Sequence, residues 1–457
     1  MTGPRATDLI WLVTYTTLYR EGGPELERAA MTLAAEMTTR RGIPAAGVRL
    51  VRVECKRDFV DALEAVARDG LQLAELHFVG HSGMYGPMFR TTAMPEQFSP
   101  HEWRTLAIPF APGGEAFFHA CRTARWFAPF FARTFGVPAS GFHWYTTFST
   151  RPDRFGWEGP ARLLRPPARM LPNGERPLYL IGCRGKKSDG LVGSVLKYTG
   201  LIDAEPMKRF LPEPLIGDAT YDQVADLYAE VFTDIRVRKD EWRWLEARFP
   251  RPAVGPGPRV LDLGCGTGAL LRALEDRIAH GVGVDASPGM VAVARRESPS
   301  DKLAFEVIDG PRLPFPDASF DVVVSLLSFR YLDWDPIMDE VRRVLAPGGR
   351  LLVVDMVTAP VESRDVPMLV RDVVKARAEQ LQNSPYRQAL RRLVADPRWK
   401  TMLTYNPIRA KHEYVWYFES RFPGRKVETL NVGWHNRVLA FDSGPLAPGR
   451  VAPQSYP

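Results

Sequence analysis

The chain is poor in cysteine, with four in 457 residues, at positions 55, 121, 183 and 265. So few and so scattered, they exclude a disulfide framework and a cysteine-rich zinc site, and no metal is expected. A reducing, cytoplasmic setting follows as the expectation. Long apolar runs are also missing. None approaches the roughly 20 residues that a membrane-crossing helix needs, and the longest near the start, residues 8–19, is broken by threonines. No membrane partner is expected. The start of the chain lacks a basic leader, an adequate apolar core and a clear cleavage site, so no signal peptide is read there. Nor is there a strong excess of one charge. The formal net charge is +7, carried by arginine-rich helices with acids among them. That pattern is a solvated surface and lends no support to nucleic-acid binding.

What is present suits a globular chain of two or three domains: 45% hydrophobic and 25% charged residues. In the first half, strands fit residues 8–18, 48–55, 74–83 and 115–124, with amphipathic helices at 24–42 and 57–70. Strand–helix alternation of this kind implies a mainly parallel sheet covered by helices. Working residues gather at the carboxyl ends of such strands. His81 and Cys121 both fall at such ends, and an imidazole there can take the proton of a cysteine nucleophile. Core packing of the cysteine and a structural histidine are the rival readings. VGHSG (79–83) also has the outline of a nucleophile elbow at Ser82, but residue 84 is Met where the motif has Gly, and Gly83, Gly86 and Pro87 oppose the helix that an elbow requires. The HACRT run (119–123), with His81 forty residues before Cys121, resembles the caspase-like cysteine peptidases of clan CD over about residues 8–200. His119, Thr123 and Ser82 depart from that pattern. The resemblance implies a caspase-like α/β domain with a His81/Cys121 dyad and a peptide substrate. RPLYLIGC (176–183) reads as a late strand.

The proline-bearing stretch 201–217 reads as a linker, with domains at 1–200 and 218–444 and a flexible tail at 445–457. The second half is organised around VLDLGCGTG, residues 260–268. A buried strand runs into Gly264, Gly266 and Gly268, where the backbone can approach a ligand because no Cβ intervenes. The helix that follows points unpaired N–H groups into the same space. Further strands end in Asp285 (281–285) and Asp309 (305–309), residues 313–329 read as a turn and a fourth strand, and a fifth follows Pro347-Gly348-Gly349. An antiparallel hairpin over 426–444 closes the order.

This run resembles the class I S-adenosylmethionine-dependent methyltransferases over about residues 218–442. The resemblance implies a Rossmann-like seven-stranded sheet, S-adenosyl-L-methionine as cofactor and a small-molecule methyl acceptor. Asp262 and the glycine turn would meet the amino-acid end of the cofactor, Asp285 the ribose, and Asp309 with Gly310 the adenine. Met290 packs on the adenine or belongs to the core. Tyr221 and Tyr228, on a helix from about 218 to 232, close over the cofactor or simply pack. Arg330 and Tyr331 touch an acceptor, or are a surface arginine and a packed tyrosine. A helical insertion at about 360–403 and the aromatic run 412–422 are expected to build the acceptor pocket or to pack as helix.

Overall fold

The structure, a computed structural model, describes residues 8–155, 170–183, 203–213, 221–249, 252, 255–359, 361, 363–381, 385–405, 408–434 and 436–446. The chain divides into two compact units, Met1–Leu215 and Ile216–Pro457.

In the first unit, β1 (Leu9–Tyr15) lies between β2 (Val48–Arg52) and β3 (Gln72–Val79), both parallel to it. With a strand on either side and helices over its faces, β1 buries Ile10, Leu12 and Val13 alike, the continuous apolar pattern of a covered parallel sheet. Next come β4 (Phe110–His119), parallel to β3, and β5 (Ala139–Gly141), parallel to β4. A separate antiparallel pair joins β6 (Tyr145–Ser149) to β7 (Tyr179–Cys183). The sheet ends in β8 (Lys208–Phe210), antiparallel to β5. This changes one expectation. Part of the stretch read as linker supplies an edge strand to the first unit, because its backbone finds the open edge of β5.

Helices α1 (Gly23–Thr39) and α2 (Lys56–Arg68) follow the first two strands. Cys55 caps α2: its sulfur accepts from Asp58 N, and the Asp58 carboxylate accepts from Cys55 N in return. An aromatic core of Phe59, Phe89, Trp103, Phe118, Phe127 and Phe131 fills one side of the sheet.

In the second unit, β9 (Arg259–Leu263), β10 (His280–Asp285), β11 (Leu303–Val307), β12 (Phe320–Leu326) and β13 (Leu345–Thr358) run parallel. The hairpin β14 (Glu428–Val432) and β15 (Asn436–Asp442) completes the sheet, with β15 antiparallel to β13. The strand order is β11-β10-β9-β12-β13-β15-β14, the seven-stranded arrangement expected. The chain lays down β9, β10 and β11 in one direction and returns to place β12 on the other side of β9. The carboxyl end of β9 is therefore the switch point, where an open parallel sheet forms its crevice. His435, residues 447–457 of the expected tail, 201–202 and 214–217 of the expected linker, and 218–220 of the expected helix lie outside the described residues.

Candidate functional site

The turn after β9 has the conformation that its glycines permit. Gly264, Gly266 and Gly268 have φ of +72°, +52° and +75°, a left-handed region costly for other residues. They are not equivalent. A Cβ on Gly264 would stand 2.3 Å from the Cβ of Ser328, and one on Gly268 would stand 2.8 Å from the Phe305 ring. At Gly266 the nearest atom would be Tyr228 Cε1, at 3.8 Å. Gly264 and Gly268 are thus packed by the protein, while Gly266 faces the space under Tyr228. The helix Ala269–Leu274 starts directly behind.

Two of the three expected aspartates come together here. Asp262 is buried, and its Oδ1 has no hydrogen-bond partner among the described residues. Burial, aided by the charge of Asp285 on the next strand, pushes its carboxyl up to about 8. An orphaned, buried carboxylate oxygen at the foot of the turn fits a cationic partner such as an ammonium group. Asp285 ends β10. Its Oδ2 accepts from Gly266 N at 2.9 Å and its Oδ1 from Ser287 N at 2.9 Å. Burial raises its pKa, the N–H groups of Ser287 and Gly266 oppose this, and the neighbouring Asp222 adds to it. Asp309 and Gly310 lie exposed on the loop after β11. That loop is tied to the same corner by Ile308 N, which donates to Asp285 O at 3.0 Å.

A cap stands over the turn. Tyr221 begins a 3-10 turn that leads into the helix Ala225–Val231. Tyr221 and Tyr228 lie edge to face with centroids 6.0 Å apart. The Tyr221 hydroxyl donates to the Tyr331 hydroxyl at 2.9 Å. Met290, on the helix Pro288–Glu297, is buried against Ala225 and the two cap tyrosines, so its packing reading is realised in the seam between cap and helix. Trp399, on the insertion helix Pro397–Tyr405, reaches both tyrosines, with centroids 6.1 Å and 6.3 Å away. Asp222 was not singled out from the sequence. Its Oδ1 accepts from Ser287 Oγ at 2.5 Å and from Gly289 N at 2.7 Å. Ser287 was legible as a cap, since a serine before Pro288-Gly289 is a helix-start signal.

The segment after β12 corrects one expectation. Arg330 is not a surface arginine. It is buried in an ion pair with fully buried Asp355, which also accepts from Arg330 N at 2.7 Å and from the Tyr414 hydroxyl. Its guanidinium lies 4.6 Å from the Tyr331 ring centroid. Within the aromatic run 412–422, Tyr414, Tyr417 and Phe418 are buried against Trp334 and Phe329, so those residues pack as core.

In the first unit, Val79 and His119 are register partners on β3 and β4. His81 and Cys121 each follow two residues later, so both stand past neighbouring strand ends. Ser82 Oγ donates to the carbonyl of Cys121. The Cys121 sulfur accepts from Thr146 N at 3.3 Å and lies 3.2 Å from Thr146 Oγ1. His81 Nε2 is 3.2 Å from the carbonyl of Glu21, and its ring meets Tyr19 edge-on. Ser82-Gly83 pairs with Gly86-Pro87 as a small hairpin, which leaves no helix for a nucleophile elbow. His119, where the caspase signature has glutamine, lies 3.0 Å from His77 and is pushed down to about 3, by burial first and by His77 second.

Residues 261–353 match the family model of a methyltransferase domain. Among curated proteins, the chain is 38% identical over 146 residues to a demethylmenaquinone methyltransferase of Clavibacter sepedonicus, covering 31% of this chain and 59% of that protein. It is 42% identical over 107 residues to the protein of that name from Thermus thermophilus, covering 22% and 49%. The chain spans about half the length of these relatives. Among solved structures, an S-adenosylmethionine-dependent methyltransferase from Aquifex aeolicus is 18% identical, covers 50% of this chain and 99% of its own, and has a TM-score of 0.30.

Proposed function

We propose that the second unit, whose residues 261–353 form a methyltransferase domain, moves a methyl group from S-adenosylmethionine to a small-molecule acceptor. The observation that carries this reading is the orphaned Oδ1 of Asp262 beneath a turn whose middle glycine opens toward Tyr228. The fit is chemical. Asp262 offers an anionic oxygen to an ammonium. Asp285, already held at both oxygens by backbone N–H groups, keeps lone pairs for ribose hydroxyls. The loop at Asp309 and Gly310 stands at the next strand end for the adenine. When bound, the cofactor supplies a methyl group activated on a sulfonium. The chain's own part is to hold the acceptor in line and keep water out. The aromatic faces of Tyr221, Tyr228, Tyr331 and Trp399 suit that task. The name shared by the curated relatives, demethylmenaquinone methyltransferase, supports a small-molecule acceptor.

The test is a calorimetric titration of the full chain with S-adenosylhomocysteine, for the native protein and for Asp285→Ala. Saturable binding that weakens by a factor of ten or more in the variant is the expected result. An absence of binding to the native protein would remove the reading.

A second reading concerns the first unit, and the register of β3 against β4 supports it, because Val79 and His119, the residues two before His81 and Cys121, are paired there. In this reading Cys121 is a thiol nucleophile with His81 as its base, in a caspase-like peptidase domain, and the methyltransferase domain serves as a cofactor-binding sensor. Cleavage of a peptide library that disappears in Cys121→Ala supports it; cleavage that persists unchanged removes it.

A further inference from the structure

Asp222 is one of the polar fastenings of the cap over the glycine turn, beside the Tyr221–Tyr331 bond and the Arg296–Asp226 ion pair. Asp222 Oδ1 accepts from Ser287 Oγ and from Gly289 N, the two groups that open the helix Pro288–Glu297. Ser287 N in turn donates to Asp285, whose other oxygen accepts from Gly266 N. A continuous series of hydrogen bonds therefore joins the cap to the cofactor turn. The fit depends on Gly289 having no side chain: a Cβ there would stand 2.8 Å from Asp222 Oδ1 and 3.2 Å from Asp222 Cα. On the other side of Asp222, Tyr221 bonds Tyr331, and about two helical turns on, Tyr228 lies over Gly266. For a molecule seated on Gly266 beneath Tyr228, lifting this cap would break both bonds to Asp222.

We propose that Asp222 is a positioning residue, a latch that holds the cap shut on the bound cofactor and sets its rate of release. This rests on the methyltransferase reading of the site. One carboxylate oxygen takes both hydrogen bonds, so the amide oxygen of asparagine can take them too, whereas alanine takes neither.

The experiment follows dissociation of S-adenosylhomocysteine from the full chain by stopped-flow tryptophan fluorescence, with melting temperature measured alongside. Asp222→Ala is expected to release the ligand about tenfold faster or more, the size of effect that loss of hydrogen bonds to a charged group produces. Asp222→Asn is expected to stay within about threefold of the native rate. Gly289→Ala, approaching the latch from its other side, is expected to repeat the alanine result, and combining it with Asp222→Ala adds little further, as for two groups of one interaction. Should Asp222→Ala not fold, Gly289→Ala and Asp222→Asn carry the test. A native release rate in Asp222→Ala with only a lowered melting temperature would reduce Asp222 to a helix cap and overturn the proposal. Asparagine releasing as fast as alanine would overturn the hydrogen-bonded latch. Failure of the native protein to bind would instead strike the methyltransferase reading itself.

Discussion

At the scale of single residues, the site combines an electrostatic cost with a steric one. Asp262 holds its proton up to about pH 8 because burial disfavours its charge. An unfolded carboxyl releases its proton near pH 3.9. Between those values the folded state binds more protons, so this residue's contribution to stability declines as pH rises from about 4 to 8. A cationic ligand reverses the preference, since it favours the ionised carboxylate. Affinity for S-adenosylhomocysteine is therefore expected to rise from pH 6 to 7.5 in calorimetric titration, and Asp262→Asn is expected to flatten that rise. Gly264 carries the steric cost. Its φ of +72° and the Ser328 side chain, 2.3 Å from any added Cβ, make Gly264→Ala a destabilising change. A loss of about 2 kcal/mol or more in urea unfolding is expected.

At the scale of elements, the segment after β12 is held by charge buried in the interior. Arg330 and Asp355 pair there, and Tyr414 from the helix Lys411–Arg421 donates to the same carboxylate. Arg409 stacks over Trp334 at 3.6 Å and bonds the carbonyl of Arg330. Removing one member leaves the other charge buried without its partner, so Asp355→Ala is expected to lower stability by roughly 3–5 kcal/mol in denaturant unfolding. Tyr331 follows Arg330 directly and bonds Tyr221. The same substitution is therefore expected to raise the KM for the methyl acceptor through a displaced Tyr331, which steady-state kinetics would register.

At the scale of the whole molecule, each unit has its own sheet and its own core. Two such units, with the proposed cofactor site in the second, are expected to unfold in separable steps. Calorimetric scans are expected to show two transitions. S-adenosylhomocysteine should raise the one belonging to Ile216–Pro457, by mass action on the folded form, and leave the other in place. Among the described residues no helix is long and apolar enough to cross a membrane, as the broken apolar runs of the sequence led one to expect.

Much of this was legible in the chain itself, and the reason is local. A left-handed turn selects glycine, and a covered parallel strand selects an unbroken apolar run. So Gly264, Gly266 and Gly268, the strands around them and the acids at their ends could be read in order without any contact being known. What reading in order could not supply was pairing between distant segments. Lys208–Phe210 read as linker because nothing local marks an edge strand only three residues long; the open edge of β5 decides it. Arg330 read as an acceptor contact or a surface residue because arginine seldom lies buried unless paired, and its partner Asp355 is 25 residues away. Asp222 is an ordinary acid in a helical segment until folding brings Ser287 and Gly289 to it across more than 60 residues. Local backbone preference thus determined where the strands and the glycine turn lie. Burial and long-range hydrogen bonding, which depend on the folded chain excluding water, decided which side chains stand together there.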